Sequence, residues 1–225
     1  MAQAPMSFPI VLAGPSGGGK TTVRDALLER RPDLHFSVSA TTREPRPGER
    51  DGVDYRFLSR DAFEALRESG ELLEWAVVHG ELYGTPAENL RQAAERAVCL
   101  LLDLDVQGVR QVRERVPGAV TIFLLPPSLE RLLERLQGRG SEDREALIRR
   151  MRTARSELAA VTEFDYAVVN DVLEDTVDAV EAIIRAEAYW TGRPETGSIE
   201  TARALGEALD ELLVRFDSPV ERLEE

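Results

Sequence analysis

Eight consecutive residues, Gly14-Pro15-Ser16-Gly17-Gly18-Gly19-Lys20-Thr21, fit the pattern G-x-x-x-x-G-K-[ST] and restrict what this chain can fold into. The pattern requires a strand before it and a helix after it. Residues 8–13 are a short apolar run, and residues 22–30 carry a helical spacing of apolar positions that stops at Pro32. In that order, strand, glycine loop and helix let several backbone N–H groups face one phosphate, with the positive end of the helix dipole behind them. Lys20 then reaches the β and γ phosphates as a compact point charge, and the Thr21 hydroxyl is placed for Mg²⁺. A glycine-rich turn that binds nothing is the alternative, and the strand and helix around the loop count against it.

Composition sharpens the reading at one residue. The 28 basic residues are 27 Arg and a single Lys, Lys20, so a chain that otherwise uses arginine keeps its one lysine in the loop. Against them stand 41 acidic residues, giving a net charge of −13, which argues against a nucleic-acid partner. The longest apolar runs fall far short of the roughly 20 residues a membrane span needs. No basic residue precedes the first apolar stretch, so no secretory leader is expected and the expected location is the cytoplasm. Cys99, the sole cysteine, lies in an apolar run and reads as a small buried hydrophobe.

Along the chain, α/β alternation is interrupted once. From residue 35 to 83 short alternating segments, a turn-rich stretch over 45–52 and one helix near 61–69 predict a small inserted sheet. Alternation resumes at Thr85, where Thr85, Pro86 and Glu88 predict a capping box with proline at the first helical position. Strands over 98–105, 119–125 and 165–169 alternate with helices near 109–116, 128–137, 141–161 and 175–190. This pattern predicts an open parallel sheet flanked by helices, as in P-loop NTPases. Residues 191–225 form an acidic tail of four basic and nine acidic residues, in which Ala202, Leu205, Leu209, Leu212, Leu213 and Phe216 make a helical stripe.

A phosphate loop alone leaves GTPases, ATPases and small-molecule kinases open. With no lysine outside the loop, an N-K-x-D guanine-reading element is absent, which disfavours a GTP switch. The loop through Thr22 is followed by Ser39-Ala40-Thr41-Thr42-Arg43-Glu44-Pro45-Arg46-Pro47-Gly48-Glu49, Gly52-Val53-Asp54-Tyr55, Glu74-Trp75 and Tyr83-Gly84-Thr85. Further on come Asp103-Leu104-Asp105-Val106-Gln107-Gly108, Arg135, Gly138-Arg139-Gly140 and Val169-Asn170-Asp171. In order and spacing these segments resemble guanylate kinase over about residues 8–190. The resemblance implies Mg²⁺-dependent transfer of the ATP γ-phosphoryl group to GMP, giving ADP and GDP.

It also implies an organisation: a nucleotide-binding core over 1–36, 86–128 and 156–190, a GMP-binding domain over 37–85 and a helical lid over 129–155. Residues 191–225 extend past the family's usual end as an acidic tail whose apolar stripe is expected to dock on the core or on a second copy of the chain, a mobile tail being the alternative. By resemblance, Arg43 and Arg46 grip the GMP phosphate bidentately, with hydroxyl hydrogen bonds from Tyr55 and Tyr83. Guanine offers an acceptor at O6 and donors at N1 and N2, which suits Glu74 and Asp105 as acceptors and Ser39 and Thr85 as hydroxyls. Arg135, Arg139 and Arg150 look like the lid arginines that cover the triphosphate, and Asn170 and Asp171 lie near the adenine. Asp103, at a strand end, joins Thr21 as a metal residue, acting through water. Ala40 departs from the family pattern, standing where a second serine is common. Two rival readings are a catalytically silent guanylate-kinase-like binding module, which would lack a working loop, and a sugar-bisphosphate kinase, which would not need the guanine set.

Overall fold

The computed structural model describes residues 8–78, 80–137, 144–192 and 197–217. Its larger sheet contains β1 (Ile10–Ala13), β2 (Leu34–Phe36), β7 (Cys99–Asp103), β8 (Val120–Leu125) and β9 (Tyr166–Val169), in the order β2-β7-β1-β8-β9 and parallel throughout. Every residue of β1 is buried because helices cover both faces of the sheet. Ile10 and Leu12 face α1 (Lys20–Arg30) and α7 (Leu173–Glu187), meeting Val23, Leu27, Val177, Val180 and Ile184. Val11 and Ala13 face the opposite layer, which holds α3 (Ala87–Glu95) and α4 (Val106–Arg115) with Ala93, Val109 and Val112. Burying each Ile, Leu or Val of this core contributes about 1.5–3 kcal/mol.

The smaller sheet, in the order β4-β3-β6-β5, is built from β3 (Ala40–Thr41), β4 (Arg56–Phe57), β5 (Leu72–Val78) and β6 (Glu81–Pro86). β3 pairs parallel with β4, while β6 runs antiparallel to both β3 and β5. α2 (Arg60–Glu68) covers it, with Phe63 fully buried against Ala40, Leu72 and Leu82. The inserted sheet is therefore present, with one correction at its start. Residues 34–36 do not join it but pair in parallel with β7 in the larger sheet.

A second correction concerns Thr85. Pro86 is extended, at φ −62° and ψ 132°, so α3 begins at Ala87 with no side-chain cap. Thr85 sits on β6 in register with Glu74 of β5, and its hydroxyl hydrogen bonds to that buried carboxylate instead of capping the helix. Side chains of α4 help to tie the small sheet to the core. The Gln111 side chain on α4 accepts from Trp75 N–H at 3.1 Å and donates to Trp75 C=O at 3.0 Å. Arg115, on the same helix, donates to Leu72 C=O.

α5 (Leu129–Gln137) and α6 (Arg144–Ala159) pack through Leu132, Leu136 and Ala154 beside the loop that follows β1. α8 (Gly197–Asp217) forms as the tail stripe predicts, but its side chains from 201 to 211 are exposed, with Leu205 and Leu209 about three-fifths accessible. Packing of that part of the stripe on the core is thus not what the structure shows. Leu212, Leu213 and Phe216 fall outside the described side chains. Among the described residues no helix is long and apolar enough to cross a membrane. Leu205→Ala combined with Leu209→Ala should leave the far-ultraviolet circular dichroism intact and shift the Tm by less than about 2 °C, since exposed side chains contribute little to stability.

Candidate active site

The glycine loop follows the central strand at the point where the chain's crossovers diverge, with β7 on one side of β1 and β8 on the other. Lys20 Nζ donates to Gly14 C=O at 2.9 Å across the loop, and Gly18 N–H donates to Pro15 C=O at 2.8 Å. Gly19 sits at φ 86°, where a Cβ would lie 2.4 Å from Asn170 Nδ2, so a side chain is excluded twice over. A cavity of about 280 Å³ is lined by loop residues 16–21 and by Glu157 of α6. A second cavity, of about 360 Å³, shares Gly17 and Gly19 with the first and is lined further by Thr22, Arg135, Asn170, Asp171 and Leu173.

Arg135 and Asn170 brace this second side. Asn170 Nδ2 donates to Gly18 C=O at 2.8 Å and its Oδ1 accepts from Thr176 Oγ1 at 3.2 Å. Arg135 donates to Gly18 C=O at 3.4 Å and to Asn170 C=O at 3.1 Å. Arg150 reaches the loop from α6, donating to Ser16 Oγ at 3.4 Å and to Leu136 C=O at 2.6 Å. Arg139 lies outside the described residues.

The predicted metal residues stand on adjacent elements. Thr21, the second residue of α1, is exposed, and Asp103 ends β7 in register with Leu12 of β1, with Arg24 Nη1 at 4.0 Å. Among the described residues no group of three or more His, Cys, Asp or Glu forms a metal cage. One hydroxyl and one carboxylate suit Mg²⁺, which keeps most of its waters and takes its remaining oxygens from substrate phosphates.

Three of the guanine candidates, Glu74, Thr85 and Asp105, come together. Glu74 is 7% exposed and its Oε1 accepts from Thr85 Oγ1 at 2.7 Å. Asp105 caps α4 by accepting from Gly108 N–H at 2.8 Å. Gly108 packs beneath both carboxylates, since a Cβ there would lie 3.2 Å from Glu74 Oε2 and 3.5 Å from Asp105 Oδ1. Burial raises the Glu74 pKa to about 7, helped by the charge of Asp105 and opposed by the Thr85 hydroxyl. Ser39 lies just before β3, in a link secured by buried Asn89, whose Nδ2 donates to Ser37 Oγ and to Val38 C=O, both at 2.9 Å.

The Pro-rich turn holds Arg43 differently from the expected free fork. Its Nε donates to Tyr83 Oη at 3.1 Å, its Nη1 to Glu44 C=O at 2.7 Å and Glu49 Oε2 at 3.0 Å, and its Nη2 to Glu49 Oε1 at 2.9 Å. Four of the five guanidinium hydrogens are thus committed within the protein. Glu49 Oε2 also accepts from Arg46 N–H at 2.7 Å, and its hydrogen bond from Arg43 holds the Glu49 pKa below the usual carboxylate range. The Arg46 side chain is exposed, and Tyr55 is stacked edge-on to Tyr83 at 6.0 Å with Arg43 over its ring at 5.5 Å. Glu49 and Gly108 both belong to recognised strings but received no role from sequence. Glu157, in the middle of an arginine-rich helix, carries no sequence signal that separates it from surface acids.

With this geometry in hand, similarity to known proteins can be placed on it. The family model described as guanylate kinase matches residues 6–187. A guanylate kinase of Rhodococcus jostii is 50% identical over 188 residues, covering 83% of this chain and 88% of that protein. One of Aromatoleum aromaticum is 49% identical over 177 residues, covering 79% and 87%. Among solved structures, guanylate kinase from Anaplasma phagocytophilum superposes with a TM-score of 0.67 at 36% identity, covering 84% of this chain and 90% of that one.

Glu74 makes stability depend on pH. Because its pKa in the fold is about 7, against 4.5 for a free carboxyl, the folded chain binds a proton there that the unfolded chain has lost. Its contribution is therefore full below pH 4.5 and declines as pH rises to about 7. Urea denaturation at pH 5 and pH 7.5 should show wild type losing about 2–3 kcal/mol relative to Glu74→Gln across that window. Parallel profiles would mean that Glu74 is ionised in the folded protein.

Proposed function

Since the chain belongs to the guanylate kinase family, and is therefore an enzyme that transfers the ATP γ-phosphoryl group to GMP, we propose how its own residues perform that reaction. The supporting observation is the placement of the only lysine in a glycine loop that lines a cavity, in a fold that also brings the Glu74 and Asp105 carboxylates together with the Thr85 hydroxyl.

ATP sits with its phosphates on the N–H groups of loop residues 14–22 and its adenine toward Asn170 and Asp171. Lys20 leaves Gly14 C=O to neutralise the β and γ phosphates. GMP binds on the small sheet. Its phosphate meets Arg43, Arg46, Tyr55 and Tyr83, with Arg43 offering its remaining Nη2 hydrogen unless Glu49 releases the fork. Ionised Glu74 and Asp105 accept from guanine N1 and N2, while Ser39 and Thr85 donate toward O6. Adenine reverses the donor and acceptor pattern at positions 6 and 1 and has no amino group at position 2, so the same pocket disfavours AMP.

The attacking GMP phosphate oxygen is already ionised at neutral pH, so no general base is needed and rate comes from alignment and charge stabilisation. Arg135, Arg139 and Arg150 offset the charge that develops between the two phosphates and help to exclude water. Thr21 and Asp103 would hold Mg²⁺, Asp103 through water. Bound there, the ion would supply positive charge to the phosphate oxygens. Residues 37–85 act as the GMP-binding domain, 129–155 as the lid and the remainder up to 190 as the core, which should close on binding both nucleotides. The exposed apolar side chains of α8 support self-association through 191–225. Nucleotide substrates support a cytoplasmic enzyme, and the net charge of −13 supports a reading with no nucleic-acid partner.

Lys20→Ala should lower kcat by about 10³-fold or more while leaving the Kd for GMP within about threefold, because it removes charge from the transferring group alone. Glu74→Gln places a donor against guanine donors, and should raise KM for GMP about 100-fold while leaving KM for ATP within about twofold. Steady-state kinetics and GMP titration check both, and the opposite ordering would reassign the two sites.

A further inference from the structure

Glu157 has no part in the reaction as described, yet it stands in the phosphate cavity. Its Oε2 accepts a hydrogen bond from Ser16 N–H at 3.1 Å, and it lines a cavity distinct from the one lined by Arg135 and Asn170. The side chain is partly exposed, and the charges that face it come from three elements. Burial raises its pKa, the Ser16 N–H and Lys20 of the loop and α1 pull it down, and Asp105 at the start of α4 pushes it up. The same helix reaches the same loop residue a second time, through Arg150 and Ser16 Oγ. Seven residues separate Arg150 from Glu157, two turns of helix, so both project from one face of α6.

Two cavities flank the loop and share Gly17 and Gly19. With adenine toward Asn170 and Asp171, the triphosphate enters from the larger cavity and its terminal group ends in the smaller one, beside Glu157 and on the side of Asp105. A carboxylate and a phosphoryl oxygen are both acceptors for a backbone N–H, and two anions at hydrogen-bond distance from one donor repel.

We propose that Glu157 occupies the γ-phosphoryl position on the Ser16 N–H and must be displaced for ATP to seat, which makes it a positioning residue that discriminates ATP from ADP and links the filled loop to the position of Arg150. This rests on the reading of the loop as the ATP site. ADP lacks the terminal group and leaves the Glu157 contact in place. Displacement moves the face of α6 that carries Arg150, so the guanidinium is repositioned only when three phosphates are present.

Isothermal titration of the full chain with ATP and with ADP, each with and without Mg²⁺, tests this for wild type, Glu157→Gln, Glu157→Asp and Lys20→Ala. Glu157→Gln should bind ATP about tenfold more tightly with ADP affinity changed less than about twofold, the scale of one charged hydrogen bond and its repulsion. Glu157→Asp, whose shorter side chain reaches Ser16 poorly, should shift ATP affinity in the same direction by less, and thermal melts confirm that both variants fold. Unchanged or weaker ATP binding, or equal shifts for ATP and ADP, would overturn the proposal. Weakening seen only with Mg²⁺ would also overturn it, making the carboxylate an acceptor for the ion's water. The Lys20→Ala arm isolates the underlying reading, because wild-type ATP affinity in that variant would show that the loop is not the phosphate site.

Discussion

β1 hydrogen bonds to β7 on one side and to β8 on the other, and that pairing places every group around the phosphate loop. Burial on both faces holds the strand rigid, and its register sets Leu12 beside Asp103 and Ala13 beside Phe123. The glycine loop therefore leaves the sheet between the ends of β7 and β8. From those ends the chain delivers Asp103 and Asp105 after β7 and α5 after β8, while Asn170 follows the neighbouring strand β9. The small sheet is secured to the same framework because Gln111 of α4 pairs with both backbone groups of Trp75, the residue after Glu74.

Internal carboxylates meet the donors on both sides of the cleft. Glu49 closes on the Arg43 guanidinium and Glu157 on the Ser16 N–H, in a chain of net charge −13. Both contacts keep strong donors paired and aimed, at the cost of competition with incoming phosphates. Glu74 faces the converse problem. Its burial beside Asp105 favours the protonated acid, whereas guanine requires the carboxylate, so base recognition and protonation are coupled in one side chain.

Much of this was legible in the sequence because the relevant signals are local. The loop is a contiguous string, and strands buried on both faces read as continuous apolar runs. What was not legible depends on partners distant in the chain. Residues 34–36 resemble the alternating strands that follow them, and only pairing with β7 puts them in the larger sheet. Thr85 has the spacing of a helix cap, but the buried Glu74 opposite it on β5 takes its hydroxyl. The roles of Glu49 and Gly108 depend on groups several residues or an entire domain away, and that of Glu157 on a contact spanning 141 residues. The stripe in α8 marks a face that would gain from being covered without specifying what covers it, and along 201–211 the chain's own core does not.

The central claim is that this site moves a phosphoryl group from ATP to guanine nucleotide alone, and an ADP-release assay tests it most directly. Mg·ATP would be offered in turn with GMP, AMP, UMP, CMP and a sugar bisphosphate. Turnover confined to GMP is the expected result. ADP release driven by the sugar bisphosphate, or none with GMP despite measurable GMP binding, would contradict the claim, the latter pointing to a binding module instead of a kinase.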